Sequence, residues 1–487
     1  MKQLSKSIRY AYWNTIKDIN PLFVEAQYAV RGQVPSMAAT IQEEINAGKK
    51  YPFDSITELN IGNPQTFGQK PITFNRSVLS SMLDPNILKY QSGDVQRRVN
   101  FYNDKIGFQV GAYSQSPGYP IIREAVANFI QKRDATKNRP SINDIILTDG
   151  ASSGITLMFN LLLKDKNDGV MIPIPQYPLY SAVIAQCGAQ QIPYYLVEEK
   201  NWSAEQKQLE EQYSKAKRNG INPRILVCIN PGNPTGQVFD KQSIVEMIKF
   251  AAEKKITIFA DEVYQENIYD PKKKFISFRK VANELNLDVE IYSFHSISKG
   301  ITGECGLRGG YMEITSKVDS EVHFQIHKSK TIMLCSNTVG QLMTGLMLTP
   351  PTVEEGCSES TVQQYNEECK ALFNSLQRRA DIVTKYLNQT KGVSCQPIEG
   401  AMYAFPRIFL SDKYVEHAKK LGYQPDVLYC LDLLKETGLV VVPGSGFLQY
   451  PGTYHFRMTI LILPEEKLLA KMKIFQQWHE SYIAKLQ

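Results

Sequence analysis

Between about residues 116 and 345 the chain alternates short, unbroken apolar runs with stretches of helical period, and this alternation restricts the fold more than any other feature. The runs at 144–148 (DIILT), 170–174, 224–229 (RILVCI), 256–260 (ITIFA), 290–294 and 309–314 have the length and β-branched content of strands. Between them, apolar residues recur at helical spacing. One helix is expected from Gly150 onward, with Ile155, Leu157, Met158, Leu161 and Leu162. Asp240 can cap another that carries Ile244, Val245, Ile248, Ala251 and Ala252. A strand that is apolar throughout is buried on both faces. The pattern therefore predicts an α/β fold with a mostly parallel sheet covered by helices.

The alternation stops near 345–361, within LTPPTVEEGCSES. A long helical stretch at about 362–388 follows. Strand candidates come around 401–405, 439–442 and 455–461, with helices at about 425–437 and 465–486. This divides the chain into three. Residues 1–115, rich in Pro and Gly, are read as an irregular N-terminal arm and part of a small domain. Residues 116–345 form a large domain, and 346–487 a smaller α+β domain.

Composition narrows the function. Of 487 residues, 43% are hydrophobic and 21% charged, an ordinary globular balance that excludes disordered and collagen-like chains. The net charge of +6 is too small over this length to mark a nucleic-acid or membrane partner. Apolar runs such as MFNLLL at 158–163 fall far short of the roughly 18 residues of a membrane span. The eight cysteines form no C-x-x-C pair, so they read as reduced thiols rather than zinc ligands or a redox pair. Lys2, Lys6, Arg9 and Lys17 precede the first acid, Asp18. The expected location is cytoplasmic, with a mitochondrial presequence as the alternative.

Chemistry gathers at the strand ends. In 292–310 (YSFHSISKGITGECGLRGG), Lys299 follows a strand run among Ser293, Ser296 and Ser298, with Arg308 nine residues on. A lysine at a buried strand end is uncommon because an ammonium is costly to desolvate. The same cost yields a neutral amine able to form a Schiff base. The hydroxyls and Arg308 suit a dianionic phosphate. TDGASS at 148–153 adds Ser152 and the free N–H groups of a helix start. Asp261 closes the run ITIFA, where a carboxylate can keep a pyridine nitrogen protonated. NPGNPTG at 230–236 is a rigid turn that would hold Asn233 over the strand ends, where open α/β sheets bind ligands. His323 and His327 have metal-ligand spacing but lack the glutamate of H-E-x-x-H. An ordinary helical surface, and no metal, is expected there. The glycines at 303–310 open no strand-to-helix turn, which disfavours a dinucleotide.

The segments GAS, PQYPLY, NPGNPTG, DEVY, SISKG and GLRGG, in this order and spacing, resemble the class I and II pyridoxal-phosphate aminotransferases of fold type I. YAVRG (28–32), LNIGNPQ (59–65), GAYSQSPGYPIIR (111–123) and GECGLRGGY are similar to the alanine aminotransferase subfamily in particular. The resemblance covers nearly the whole chain from about residue 20. It implies pyridoxal 5′-phosphate as cofactor, bound by the 116–345 domain. It also implies ping-pong transamination from L-alanine to 2-oxoglutarate, with another class I activity, such as glutamate–glyoxylate transamination, as the alternative. Amino acids and 2-oxo acids would be the partners. By the same resemblance Lys299 is the Schiff-base lysine and proton shuttle, and Asp261 meets the ring nitrogen. Tyr264 and Asn233 lie beside the ring O3′, and Tyr177 stacks on the ring. Ala151, Ser152, Ser296, Ser298 and Arg308 surround the phosphate. Tyr113 would reach the phosphate of a neighbouring subunit, which implies a homodimer. Arg457, in HFRMTIL, would grip the substrate α-carboxylate with Gly62 and Asn233 assisting.

Overall fold

The computed structural model describes residues 16–28, 32–315 and 318–484. Lys2, Lys6 and Arg9, and the middle of the 28–32 motif, lie outside them. Seven strands form the central sheet: β1 (Ile145–Thr148), β2 (Asp168–Ile174), β3 (Gln190–Tyr195), β4 (Asn222–Ile229), β5 (Thr257–Asp261), β6 (Ile291–Ser296) and β7 (Gly310–Ile314). Their order is β1-β7-β6-β5-β4-β2-β3. β7 alone runs antiparallel to its neighbours. The remaining pairs are parallel.

Strand burial explains the unbroken apolar runs. Val170 and Ile172 of β2, Ile225 and Val227 of β4 and Phe259 of β5 pack into one core. The intervening Met171, Leu226, Cys228 and Ile258 pack into a second, on the other face of the sheet. Successive strand side chains point to opposite faces, so two apolar layers require apolar residues at every position. The helices Ala151–Leu162 and Lys241–Lys254 form as the periodicity predicts, and the Asp240 carboxylate caps the second by accepting from the Ser243 N–H at 2.8 Å.

Three expectations need correction. Strand β3, QQIPYY, is not predicted from the sequence. It is the sheet edge, where a polar face and Pro193 are tolerated because one side has no ladder to complete. The stretch read as irregular carries the helices Gln33–Asn46, Thr73–Leu83 and Gly93–Ile106. The last buries only a narrow stripe that includes Val95, Val99 and Tyr102, and its many charges mask the period. The C-terminal strands are shorter than expected: Tyr403–Ala404 (β8), Val442–Pro443 (β9) and Phe456–Thr459 (β10), in the order β8-β10-β9. The long helix is Glu359–Gln389, capped by Ser358.

Two features of this fold build the site. The reversal of β7 sets Gly310 opposite both Thr148 and Ser296, so the chain returns from Lys299 to the β1 and β6 ends with Arg308 in place. Residues Thr57–Glu58 pair in parallel with Leu439–Val440, and the Leu59 carbonyl accepts from Thr459 of β10. That threads residues 60–62 between Arg457 and Lys299. No helix among the described residues is long and apolar enough to cross a membrane.

Candidate active site

Four sheet-edge segments and one C-terminal strand converge. Lys299 is half-buried, and its Nζ donates to the Gly62 carbonyl at 2.6 Å. Gly62 must be glycine for packing reasons. A Cβ there would overlap the Tyr403 hydroxyl and stand 3.1 Å from Lys299 Nζ.

Asp261, at the end of β5, is 5% exposed. Tyr180 donates its hydroxyl to Oδ2 at 2.8 Å, and the Val263 N–H reaches Oδ1 at 3.4 Å. Burial pushes this carboxyl up to about 6, against the opposing pull of those bonds. It forms no salt bridge among the described residues, and so offers a buried acceptor for a cationic N–H such as a protonated pyridine. The neighbouring Glu262 accepts from the Phe278 N–H instead, at the edge of a buried cluster with Arg133 and Asp134.

Ser296, Ser298, Arg308 and Ser152 form a polar pocket at the first turn of the Ala151–Leu162 helix. The Ser296 hydroxyl donates to Ser298 Oγ at 2.9 Å. Arg308, left-handed at φ 49°, donates to the Asp149 carbonyl at 2.6 Å and to Ser152 Oγ at 3.4 Å. A Cβ on Gly150 would stand 2.6 Å from the Arg308 guanidinium. Free helix N–H groups, hydroxyls and a guanidinium are the donors a phosphate dianion requires.

Arg457 is 1% exposed. Its guanidinium lies between two rings, 4.1 Å from the Tyr403 centroid and 4.7 Å from that of Phe447. It donates to Asn233 Oδ1 at 3.1 Å and to the Asn60 carbonyl at 2.6 Å, while its buried Nε has no hydrogen-bond partner among the described residues. A flat guanidinium with donors to spare suits a carboxylate. Tyr177, half-buried, shares a hydrogen bond with Tyr28 at 3.1 Å and packs edge-on against Tyr180. Tyr264 packs edge-on against Tyr403, and burial raises its phenol well above the usual range.

The structure thus brings the predicted residues Gly62, Asn233, Asp261, Tyr264, Lys299 and Arg457 together at the strand ends, with Ser152, Ser296, Ser298 and Arg308 clustered by the first turn of the Ala151–Leu162 helix. Tyr113 is apart from them: it is 79% exposed and makes no hydrogen bond to any of them among the described residues. His323 and His327 bond instead to Asp144 and to the Asn143 carbonyl.

The sequence reading does not single out Tyr403, Tyr180, Asn60 or Glu304. Tyr180 carries a signal, since it follows Tyr177 by three residues across a helix start. Glu304, 3% exposed, takes two bonds from Arg76 at 2.7 and 2.6 Å and one from Gln65 at 2.7 Å. It thereby ties the lysine loop to the 60–65 segment. Asn60 and Tyr403 act through tertiary approach alone.

Comparison with known proteins agrees with this geometry. The profile of the family "Aminotransferase class I and II" matches residues 85–469. The probable mitochondrial alanine aminotransferase of Dictyostelium discoideum is 46% identical, over 97% of this chain and 90% of that protein. Alanine aminotransferase 1 of Bos taurus is 41% identical, over 96% and 95%. Among solved structures, an alanine aminotransferase from Pyrococcus furiosus superposes with a TM-score of 0.75 at 25% identity, covering 95% of this chain and 100% of that one. The chain belongs to the class I and II aminotransferases, and among them to the alanine aminotransferases.

Proposed function

We propose that this chain transfers the amino group of L-alanine to 2-oxoglutarate, yielding pyruvate and L-glutamate, with pyridoxal 5′-phosphate as cofactor. The observation that carries the reading is the convergence of Lys299 Nζ, the buried Asp261 carboxylate, which has no salt-bridge partner among the described residues, and the unsatisfied Arg457 Nε. Pyridoxal phosphate supplies an aldehyde that exchanges for an amino group and a protonated ring that draws electrons from the substrate Cα.

The side chains do the rest. Arg308, Ser152, Ser296, Ser298 and the Ala151 N–H hold the phosphate. Asp261 would keep a proton on the ring nitrogen, Tyr264 and Asn233 would bond the ring hydroxyl, and Tyr177 would offer its face to the ring. Arg457, with Asn233 and the Gly62 backbone, orients the α-carboxylate common to both substrates. Lys299 takes the proton from Cα and returns it on the far side of the exchange, acting as base and then as acid.

The chain acts as a homodimer, in which the exposed Tyr113 reaches the phosphate of the second copy. The mitochondrial names of the Dictyostelium and Arabidopsis relatives, with the basic run ahead of Asp18, favour a mitochondrial location over the cytoplasmic one. Imaging of the tagged chain tests this, and sedimentation tests the dimer.

The activity is tested with the purified, cofactor-loaded protein. L-alanine should convert the yellow form to a pyridoxamine-type spectrum, and 2-oxoglutarate should restore it. A panel of donors and keto acids in which glutamate with glyoxylate outruns alanine with 2-oxoglutarate would overturn the substrate assignment.

A further inference from the structure

We propose that Tyr403 is a further catalytic residue, whose phenol oxygen faces the Lys299 amine across Gly62 and accepts a hydrogen bond from it, holding the amine while it carries a proton. The inference rests on the lysine role proposed above.

The missing Cβ of Gly62 marks the place: the Tyr403 hydroxyl and Lys299 Nζ border the same small space. Lys299 has three donors as an ammonium, and among the described residues its one hydrogen bond goes to Gly62. Among the described residues the Tyr403 oxygen has no backbone hydrogen bond. The side chains that face it are Lys299, Arg457, Tyr264 and Cys305, and the Tyr264 ring packs edge-on against its own. Burial alone would raise this phenol, but the nearby Lys299 and Arg457 charges outweigh it and bring the phenol below its ordinary range. The attraction is mutual, so the oxygen draws the amine toward it. The ring and the hydroxyl have separate uses: the ring face supports Arg457, which a phenylalanine would do equally well, while only the hydroxyl reaches toward the lysine.

That separation supplies the test. Tyr403→Phe, in the cofactor-loaded enzyme, keeps the ring beneath Arg457. The expected result is unchanged cofactor content and thermal stability, a KM for L-alanine within about threefold of wild type, and a kcat lower by about tenfold or more. The pH midpoint of the bound cofactor's visible band should move down by about half a unit or more. Wild type should develop tyrosinate absorbance below the ordinary phenol range, and the variant should lack it. Tyr403→Leu, which also removes the ring, should raise KM as well. A Tyr403→Phe enzyme with wild-type kcat and an unmoved band would overturn the proposal. So would a loss of rate explained by lost cofactor or raised KM with an unmoved band, since that marks a packing role. If wild type gave no pyridoxamine-type spectrum with L-alanine, the function reading would fail. The band midpoint and the tyrosinate titration would still decide the role of Tyr403.

Discussion

The Tyr180 hydroxyl donates to Asp261 Oδ2 at 2.8 Å, the shorter of the two hydrogen bonds this buried carboxylate receives from the protein. That support falls short of the desolvation it opposes, since the carboxyl titrates near about 6 against an ordinary 3.8. The folded state therefore holds the proton more tightly than the unfolded one. The protonated carboxyl favours folding at low pH, and that contribution is lost as pH rises from about 4 through about 6.

Asp261→Asn should therefore stabilise the cofactor-free protein at pH 7.5, by about 1–3 kcal/mol, with the gain shrinking below about pH 5. Turnover of the loaded variant should collapse, because an amide cannot hold the ring nitrogen protonated. Calorimetry of both cofactor-free proteins between pH 4.5 and 8 measures the first effect. A variant less stable than wild type at pH 7.5 would mean that the hydrogen bonds outweigh the burial.

Lys299→Ala removes one hydrogen bond, to Gly62, and leaves the phosphate donors and Asp261 untouched. It should fold, bind the cofactor without a covalent tether and lose several orders of magnitude in rate. Borohydride reduction of wild type followed by peptide mapping locates the tether. An adduct on another lysine would refute the assignment.

The legible part of this site was the part written in contiguous residues. Lys299 among serines, Asp261 closing a strand and Asn233 in a double Asn-Pro turn each announce chemistry within a few positions, because a strand end and the loop after it form one local unit. Strands buried on both faces were equally plain. Tyr403 looked like any apolar strand residue, and Asn60 contributes a backbone carbonyl that no side-chain pattern can advertise. Asn60 reaches Arg457 through the pairing of Thr57–Glu58 with Leu439–Val440, and Tyr403 through the pairing of β8 with β10, contacts between segments far apart in the chain. Edge strand β3 was hidden for a different reason: an edge needs no unbroken apolar run.

Glu304 holds Arg76 and Gln65 against the lysine loop. The Arg76 side chain is 40% exposed, so water takes over part of its charge when the partner is lost. Glu304→Ala should cost about 1–3 kcal/mol in urea unfolding, with Glu304→Gln recovering part of it. An Ala variant as stable as wild type would show that the loop needs no such tie.

Arg457 meets the handle both substrates share. Losing a buried, charge-assisted pair costs about 2–5 kcal/mol, or about two to four decades in kcat/KM. Arg457→Ala should slow both half-reactions while leaving the resting spectrum intact. Arg457→Lys should recover little, because a point charge does not fill the slot between Tyr403 and Phe447 as a planar guanidinium does. Single-turnover rates with L-alanine and with 2-oxoglutarate decide it. A loss confined to 2-oxoglutarate would assign Arg457 to the distal carboxylate.

Gly62→Ala probes the tightest point of the site. The backbone there is not left-handed, so alanine brings no conformational strain, and its effect is steric. The new methyl would overlap the Tyr403 hydroxyl, stand 2.8 Å from Tyr403 Cζ and press on Lys299 Nζ at 3.1 Å. Tyr403 is packed against Arg457 and Tyr264, so the lysine and the 60–62 segment must yield. A displacement of about 1 Å at a reacting atom costs about a hundredfold in rate, and Gly62→Ala should lose that much kcat/KM while unfolding at nearly the wild-type temperature. Removing the hydroxyl relieves the worst overlap but not the Cζ contact. In Tyr403→Phe the added Gly62→Ala change should therefore cost less than it does alone, without becoming neutral. Steady-state rates of the four proteins in this cycle measure the coupling. Strictly additive losses would mean that the methyl finds room without moving Tyr403.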